Sequence, residues 1–368
     1  MSEYFIGLMS GTSLDGIDAV ILNCASGQIK LIETYSAPYP KDIKIKIRAL
    51  NENNGLITLQ ELGGLDVALG NYYAEIVHDL LKKSQLKPKD ICAIGSHGQT
   101  IFHSPTTKNP FSMQIGSGSV IATKTGIACI NDFRNMDVAQ GGQGAPLAPA
   151  FHQALLASPN ENRIILNLGG IANITLLPTN GKNIIGYDTG PANTLMDIWV
   201  QKHLDQKYDK DGEWAASGAI QPILLERMIS DPYFRKKYPK STGTEYFNLS
   251  WLESSLASCK EIYKPEDVQA TLCEITAQSI AAEILKHDTQ NIYLCGGGAN
   301  NKHLIARLEN HLPNIVTKTT SALGIDPQWV EASCFAWLAY QYIHRLPGNI
   351  PSVTGAKKPA ILGCLYPP

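Results

Sequence analysis

The sequence predicts an α/β protein built from two similarly organised domains. The first observation is a stretch at residues 4–23, where a turn rich in glycine and hydroxyl side chains joins two apolar runs. The second is a similar strand, turn and strand at residues 163–177. The third is that both stretches continue through a polar turn into another short strand, at residues 29–33 and 184–187. A unit repeated in this way indicates two domains of one plan.

Each copy offers a small polar loop to a ligand, and the second copy carries Gly169, Gly170 and the side chain of Asn173 in its turn. Two facing loops of this kind predict one ligand held between the domains. This is the arrangement of two ribonuclease-H-like domains, of the actin, hexokinase and heat-shock ATPase type, flanking an ATP cleft. On the first stretch alone, a tight hairpin with an Asp-Gly turn is an equally good interpretation.

The first loop has the residue types that bind phosphate and metal. Gly11 and Gly16 allow positive φ and close approach of the backbone to a ligand. Hydroxyl groups come from Ser10, Thr12 and Ser13, and Asp15 and Asp18 offer carboxylates to a metal or a water. The loop is not a P-loop, because no Lys follows the glycines and the next element is a strand.

Composition excludes several classes of function. The 31 basic and 33 acidic residues give a net charge of −2, and no Lys/Arg cluster indicates nucleic acid or an anionic membrane. The eight cysteines never form a Cys-x-x-Cys pair, so we expect reduced core residues in place of disulfides or a zinc site. Without a basic leader or an apolar stretch of about 18 residues, we expect a soluble cytoplasmic protein.

Helices and strands alternate after the third strand. The spacing of apolar residues over 65–81 predicts an amphipathic helix, which leads into a buried strand at 91–95. The other elements expected in the first domain are a helix at 44–50, a strand at 113–115, a helix capped by Ser117 or Ser119, and a strand at 127–131. The glycine-rich segment 133–146 is predicted to be a hinge that faces the substrate, because ordering it for packing alone costs entropy.

The second domain is predicted to begin with a helix at 147–156. Later elements are a helix after residue 190 capped by Thr189 or Gly190, a helix from 271, a strand at 292–295, a helix at 304–312 and a helix at 332–343. Residues 203–270 are polar and contain four prolines, so we expect short helices and loops that decorate the domain. We therefore assign residues 1–133 with about 344–368 to the first domain and 134–343 to the second.

Asp188 is the candidate catalytic residue. It stands at the end of the predicted strand and precedes Thr-Gly-Pro. A carboxylate there suits a general base, a role worth about 10² to 10⁴ in rate. The alternative is an N-cap for the following helix.

Residues that follow other strands are candidates for binding. The segment 96–100 offers His97, Gln99 and Thr100 to a substrate, although a lone His is more often a structural hydrogen-bonder. Arg134 is the basic residue of the glycine-rich segment, and its planar fork suits a carboxylate. The alternative for Arg134 is a salt bridge to Asp132 or Asp137.

Two further positions lie at the starts of helices. Gly296, Gly297 and Gly298 follow a strand and precede a helix, where a base or a ribose can approach the backbone. Glu331 precedes the last long helix and has the simple interpretation of a helix N-terminal acid. The residues alone do not single it out.

Taken together, the motifs closely resemble those of the 1,6-anhydro-N-acetylmuramic acid kinase family. The matching segments are residues 9–18, 96–103, 131–134, 140–147, 167–174, 187–193 and 294–300. The resemblance extends from residue 4 to residue 356, with 203–270 as the variable part. It implies a cytoplasmic, homodimeric enzyme of peptidoglycan recycling that uses ATP and Mg²⁺.

The resemblance also assigns roles. The ATP-phosphate loop would comprise Gly11, Thr12, Ser13, Leu14, Asp15, Gly16, Ile17 and Asp18, with Asp15 or Asp18 on the metal. Asp188 would be the catalytic base and Glu331 a substrate contact. The implied reaction opens the anhydro sugar with water and places the γ-phosphoryl group on O6. Because the phosphoryl group takes the place of the acid's proton on the leaving oxygen, one carboxylate is enough where an inverting glycosidase needs two.

Other functions of the same fold remain open at this point. Another sugar kinase would share the loops, and a sugar-binding regulatory ATPase would not need Asp188. A conformational ATPase of the heat-shock type should carry a long lid or peptide-binding domain, which we do not expect here.

Overall fold

The computed structural model describes residues 2–11, 14, 16–25, 28–52 and 56–368. The chain divides into two compact units, one comprising Met1–Leu155 with Trp329–Pro368 and the other Leu156–Gln328. The predicted domain boundaries, at 133/134 and about 343/344, differ from these. The helices on either side of the division, at 148–156 and 330–343, account for the shift, since the structure groups both largely with the first unit.

The first unit is a sheet with helices packed against it. Its strands are β1 (Tyr4–Ser10), β2 (Gly16–Asn23), β3 (Lys30–Pro38), β4 (Ile91–Ser96), β7 (Cys129–Asn131) and β13 (Cys364–Tyr366), in the order β13-β7-β4-β1-β2-β3. A separate hairpin pairs β5 (Gln99–Ser104) with β6 (Phe111–Ile115). Its helices are α1 (Lys41–Glu52), α2 (Leu59–Ser84), α3 (Gly118–Thr125), α4 (Asn135–Ala139), α5 (Ala148–Leu156), α12 (Val330–Ile343) and α13 (Pro351–Thr354).

The second unit has its own sheet. Its strands are β8 (Arg163–Leu168), β9 (Ile171–Leu177), β10 (Ile185–Pro191), β11 (Asn291–Cys295) and β12 (Val316–Thr319), in the order β10-β9-β8-β11-β12. Its helices are α6 (Asn193–Leu204), α7 (Glu213–Ser217), α8 (Pro222–Ile229), α9 (Leu249–Ala257), α10 (Pro265–Ile284) and α11 (Lys302–His311). The short helices α7 to α9 lie within the segment 203–270, which we call the decoration.

Both units repeat one strand plan. In each, the first three strands form an antiparallel meander, and two further strands join the first strand's other edge in parallel. Counted along the chain among the strands of each sheet, the spatial order is 3-2-1-4-5 in the second sheet and 3-2-1-4-5-6 in the first, where β13 adds an antiparallel sixth strand beside β7. The repeat predicted from the sequence is confirmed, and so is the predicted fold class of two α/β units of the ribonuclease-H-like type.

Local sequence explains why the elements form. Strand β1 is almost entirely buried, so its apolar run needs no alternation with polar residues. Helix α2 begins with a capping box, because the Thr58 side chain accepts from the Glu61 backbone N–H while Glu61 reaches back to Thr58. The helix then buries a stripe of apolar side chains that includes Leu69, Tyr73 and Leu80. Among the described helices, none has the length and apolar character needed to cross a membrane.

Two glycines let α12 lie directly on the first sheet. Gly7 of β1 and Gly95 of β4 are paired side by side in the sheet. A Cβ at Gly7 would stand 1.9 Å from the Ala332 carbonyl oxygen, and one at Gly95 would stand 2.0 Å from that of Phe335. Because no side chain separates sheet from helix here, the helix axis is brought close and Glu331 in its first turn is placed at a fixed position.

Several local predictions are corrected by the structure. Strand β10 continues past Asp188 to Pro191, and α6 begins at Asn193, so neither Thr189 nor Gly190 caps that helix. Gln99 and Thr100 belong to strand β5, which the sequence analysis did not anticipate. Gly16 does not have positive φ, because it is the first residue of β2. Its missing Cβ instead permits an approach of 3.0 Å to the Ala37 carbonyl oxygen.

Candidate active-site groups

The first hairpin ends in the predicted phosphate loop, of which Thr12, Ser13 and Asp15 lie outside the described residues. Leu14 has φ of 56° and a buried side chain, and its N–H donates to the Gly11 carbonyl at 3.2 Å. Ile17 is fully buried, whereas the Asp18 side chain is half-buried. Leu14 and Ile17 are therefore part of the core of the unit.

The end of β1 belongs to a buried hydrogen-bond group. The Ser10 hydroxyl lies 2.8 Å from the Tyr73 hydroxyl and 3.0 Å from Gln99 Oε1. Gln99 Oε1 also accepts from the Tyr39 hydroxyl at 2.7 Å. The side chain of Gln99 is 1 % exposed, so its oxygen supports the end of β1 and is not presented to a substrate. Thr100 is half-buried and accepts from the side-chain amide of Gln114 at 3.1 Å.

His97 and Arg134 form a pair in the same unit. Arg134 donates to His97 Nε2 from Nε at 3.2 Å and from Nη2 at 2.9 Å. Burial, and then the Arg134 cation, hold the pKa of His97 well below its ordinary value of 6.5. The ring is therefore neutral, with its proton on Nδ1 because Nε2 accepts. His97 is a buried support for the guanidinium and not a proton carrier.

Arg134 makes neither of the salt bridges considered as the alternative. Its Nη1 donates to the Gly144 carbonyl at 2.8 Å. The Asp137 carboxylate accepts instead from the Gly144 N–H at 2.8 Å and from the side chains of Asn349 and Thr354. Asp132 accepts from Asn135. Of the five N–H groups of Arg134, three have these acceptors and the others have none among the described residues.

Glu331 and Asp18 share the electrostatic environment of Arg134. Helix α12 presents Glu331 with a solvent-accessible side chain. Desolvation by the surrounding protein raises the pKa of the Glu331 carboxyl, Arg134 lowers it and Asp18 raises it further. The first unit thus brings together two carboxylates and a cation from three separate parts of the chain. A cation beside two acids is suited to an anionic ligand and a metal ion at once.

In the second unit, polar side chains form a row across three strands. Asn173 of β9 is paired with Asn167 of β8 on one side and with Asp188 of β10 on the other. All three side chains are half-buried. The pairing of β9 with β10 shifts register between Asp188 and Gly190, so a bulge begins at the carboxylate. Bulges reorient side chains and are common beside active sites.

The Asp188 carboxylate has the properties of a general base. Its Oδ2 accepts from the Thr242 N–H at 3.0 Å, and in the described part of the chain no donor reaches Oδ1. Burial raises the pKa of Asp188 to about 6. The Thr242 hydrogen bond and Lys240 oppose the rise, and Glu245 adds to it. The N-cap alternative is wrong, because the following helix begins only at Asn193.

The glycines of the second unit meet at the end of its hairpin. A Cβ at Gly296 would stand 2.3 Å from Asn167 Oδ1, and one at Gly298 would stand 2.8 Å from the Leu168 side chain. A Cβ at Gly297 would meet nothing within 4 Å. The first and third glycines are therefore required for packing, while the second leaves an open face.

The turn of the second hairpin is held by the helix that follows it. The Asn193 side chain donates to the carbonyls of Leu168 at 2.9 Å and Gly169 at 2.8 Å. The backbone N–H of Thr194 donates to the Gly170 carbonyl at 3.1 Å. This turn is short and pinned, and it fits the close backbone approach expected of a nucleotide-binding glycine pair.

Some residues at these groups were missed by the sequence analysis. Lys44 of α1 donates to the Leu14 carbonyl at 2.6 Å, which brings a lysine to a loop whose own sequence has none. Thr242 and Tyr233, both in the decoration, contact Asp188. No motif marks these residues, because each reaches the site from a distant part of the chain.

The metal prediction rests on Asp18 and Asp15, of which Asp15 is outside the described residues. Within the described ranges there is no cluster of three or more His, Cys, Asp or Glu side chains suited to a metal. Mg²⁺ usually binds one or two carboxylates, several waters and the phosphates of the substrate. A single carboxylate such as Asp18 therefore suits it as the protein ligand.

Comparison with known proteins identifies the chain as a phosphotransferase with an alcohol group as acceptor. The family model described as anhydro-N-acetylmuramic acid kinase matches residues 3–368. The chain belongs to this family, and the predictions of family and enzyme class are confirmed.

Curated relatives agree over the full length. A protein from Pasteurella multocida (strain Pm70), named anhydro-N-acetylmuramic acid kinase, is 49 % identical over 99 % of this chain and 97 % of its own. A protein of the same name from Coxiella burnetii (strain Dugway 5J108-111) is 49 % identical over the same shares. Another from Shewanella pealeana is 48 % identical and covers 100 % of this chain and 99 % of its own.

Proposed function

We propose that this protein is an ATP-dependent kinase that opens 1,6-anhydro-N-acetylmuramic acid with water and phosphorylates O6. The products are N-acetylmuramic acid 6-phosphate and ADP, which places the enzyme in peptidoglycan recycling. The observation that carries the proposal is Asp188, whose half-buried carboxylate has one oxygen fixed by Thr242 and the other left to take a proton. Family membership of the whole chain supports the substrate.

The bond changes balance with one base. Asp188 removes a proton from water as the water oxygen bonds to C1 of the sugar and the C1–O6 bond breaks. The leaving O6 bonds to the γ-phosphorus of ATP, and the bond from that phosphorus to the β,γ-bridging oxygen breaks to release ADP. The raised pKa of Asp188, about 6, suits it to accept a proton near neutral pH.

Arg134 is the proposed contact for the lactyl carboxylate of the sugar. Its guanidinium is held on one side by neutral His97 and on another by the Gly144 carbonyl. The remaining N–H groups suit a carboxylate, which pairs with arginine through charge-assisted hydrogen bonds. In this assignment His97 orients Arg134 and does not bind the sugar itself. Glu331, in the same electrostatic group, is the proposed acceptor for a sugar hydroxyl.

Each unit has its own proposed nucleotide contacts. In the second unit, the open face at Gly297 suits a ribose or base. Gly169, Gly170 and Asn173 belong to the β8–β9 hairpin of the same unit. Residues 11–18 would face the phosphates, with Asp18 holding Mg²⁺. When bound, the metal neutralises charge that develops on the transferred phosphoryl group.

The direct test is sugar-dependent turnover. Purified protein is incubated with ATP, Mg²⁺ and the anhydro sugar, and ADP and the sugar phosphate are quantified together. We expect equal amounts of both products and little ADP without the sugar. Release of ADP that is independent of any amino sugar would overturn the proposal and indicate an ATPase without an acceptor.

A cytoplasmic homodimer is proposed on the resemblance alone. Size-exclusion chromatography with light scattering tests the dimer directly. A single species at the mass of one chain across the working concentration range would refute it.

A further inference from the structure

A three-residue segment of the decoration brackets Asp188. The Asp188 backbone N–H donates to the Lys240 carbonyl at 3.3 Å, and the Thr242 N–H donates back to Asp188 Oδ2 at 3.0 Å. Strand β10 is the edge of its sheet, so its outer backbone groups are open to such pairing. The segment therefore fixes both the main chain and the side chain of the proposed base.

A buried ion pair anchors this segment to α10. Lys240 Nζ donates to Glu283 Oε1 at 2.7 Å, and the two side chains are 1 % and 5 % exposed. Glu283 Oε2 accepts from the Tyr187 hydroxyl at 3.1 Å, and Tyr187 directly precedes Asp188. One carboxylate on a long helix thus holds the residue before the base and the segment beside it.

Tyr233 closes the arrangement from a third side. Its hydroxyl donates to the Asp188 carbonyl at 2.8 Å, and the Lys240 ammonium lies 4.8 Å from the centre of its ring. Lys240 is therefore satisfied by a carboxylate and an aromatic face, as a buried cation requires.

Stability alone gives little reason for such a pair. Burying two charges costs desolvation free energy, and well-packed apolar residues of similar volume are often as stable or more so. A buried pair does, however, define a single geometry, since any displacement leaves a charge without its partner. A misplacement of about 1 Å at a reacting group can cost about 10²-fold in rate.

We propose that the Lys240–Glu283 ion pair is a positioning device for the catalytic carboxylate, acting through the Lys240–Thr242 segment. This assigns to the 203–270 decoration a role in catalysis, and it rests on the proposed function of Asp188 as the base. Lys240 and Glu283 are positioning residues, because neither side chain contacts Asp188.

The charges facing Asp188 make the pH dependence of turnover a second test of the proposal. Lys240 lowers the pKa of Asp188 and the exposed Glu245 raises it, against the larger effect of burial. Tyr233 and Tyr187 face the same region as neutral phenols, since burial raises the pKa of both far above the neutral range. Loss of the Lys240 cation should therefore move the acid limb of the pH–rate profile to higher pH.

The test uses variants that separate geometry from stability. Lys240→Met alone leaves Glu283 without its buried partner and can destabilise the fold. The double variant Lys240→Met/Glu283→Leu replaces the pair with apolar side chains and should keep the melting temperature close to that of the parent. We expect about 10- to 100-fold lower kcat in the double variant, with KM for ATP and sugar within about threefold.

Two controls sharpen the result. Lys286 donates to Glu283 Oε2 at 2.8 Å from a side chain that is 51 % exposed, outside the bracketing segment. Lys286→Met therefore removes a cation from the same carboxylate and should leave kcat within about twofold. Lys240→Arg keeps the charge and should recover part of the lost kcat.

Each outcome decides the inference. A double variant that folds and turns over at the parental rate would show that the pair is only structural. If Asp188→Asn retains activity, the assignment of Asp188 as the base is wrong, and the positioning inference falls with it. If Asp188→Asn is inactive while the double variant is normal, the positioning inference alone fails. In the Asp188→Asn background, Lys240→Met should cause no further loss of kcat if both act through the base.

Discussion

The two sheets of this protein share one strand order but carry different polar residues at matching places. The third residue of the second strand is Asp18 in the first unit and Asn173 in the second. Its partner on the third strand is Ser36 in the first unit and Asp188 in the second. The carboxylate therefore lies on the middle strand of the meander in the first unit and on the edge strand of the sheet in the second.

This difference changes what each carboxylate can contact. Asp18 lies near the start of β2 and shares the electrostatic field of Glu331 and Arg134. Asp188 lies on an edge strand, where the decoration pairs with it and supplies the Thr242 N–H. One scaffold thus carries the carboxylate proposed for the metal on one strand and the carboxylate proposed as the base on the next, by exchanging an amide or hydroxyl for an acid.

The largest expected effect is in the second unit. Asp188→Asn keeps the shape of the side chain and its hydrogen bond from Thr242 but removes the base. We expect a loss of at least about 10²-fold in kcat with near-normal binding of ATP and sugar. Steady-state kinetics and calorimetric titration measure both quantities.

The matching change in the first unit is the contrast to this. Asp18→Asn should lose activity that recovers as the Mg²⁺ concentration is raised, because it weakens a metal ligand. Asp188→Asn should not respond to Mg²⁺. The same response in both variants would remove the distinction between the two positions.

Next in size is the effect of Arg134, which tests whether the first unit recognises the anion of the sugar. Arg134→Ala should cost about 2 to 3 kcal/mol, or about 30- to 150-fold in kcat/KM, when the lactyl carboxylate is present. The anhydro sugar without the lactyl group should be affected much less. Equal losses with both sugars would place Arg134 at the phosphates or in a structural role.

The pH dependence of turnover gives a smaller effect that is specific to the second unit. Because burial raises the pKa of Asp188 to about 6, kcat/KM should fall about tenfold per pH unit below that value. An unperturbed aspartate would keep activity down to about pH 4. His97 should not contribute to this limb, since burial holds its pKa well below 6.5.

The same shift has a consequence for stability, whose sign follows from linkage. A carboxyl with a higher pKa in the folded state binds its proton more tightly when folded. The ionised form therefore costs stability above about pH 6, and the cost disappears as pH falls toward 3.8. Asp188→Asn should melt at a higher temperature than the parent at pH 7.5, with the difference shrinking toward pH 4. An unchanged difference across this range would contradict the raised pKa.

Much of the scaffold was predictable, because strand repeats and apolar periodicity are local signals. The repeat at residues 4–23 and 163–177 predicted the strand plan, and Asp188 was proposed as the base from a predicted strand end, although β10 in fact continues to Pro191. The strand at Gln99–Ser104 was missed, although its hairpin partner was predicted at 113–115, since the exposed Phe102 and its polar neighbours lack the pattern of a buried strand.

The supports of the site were not predictable, because they join residues far apart in the chain. Lys240 lies in a polar segment and Glu283 lies among the apolar residues of a helix, and nothing in either sequence indicates that the two side chains form a buried pair. Gly7 and Gly95 look like interruptions of strands, although together they admit α12 and so place Glu331. Such contacts depend on tertiary packing, which a single sequence does not display.

The smallest expected effect compares the residues after the fourth strand of each sheet, where the first unit has His97 and the second has Gly296 and Gly297. Gly296→Ala should destabilise by about 1 to 3 kcal/mol, because φ is 78° and the new Cβ would stand 2.3 Å from Asn167 Oδ1. The new Cβ of Gly297→Ala would meet nothing within 4 Å, so the stability of that variant should stay within about 0.5 kcal/mol of the parent.

The same variant tests the nucleotide contact. If a nucleotide approaches the open face at Gly297, Gly297→Ala should raise KM for ATP by about fivefold, the equivalent of about 1 kcal/mol. Gly324→Ala, with φ of 90° and no neighbour within 4 Å, measures the backbone cost alone. Thermal melts and ATP kinetics on the three variants decide the matter, and a Gly297→Ala enzyme with unchanged KM for ATP would move the nucleotide away from these glycines.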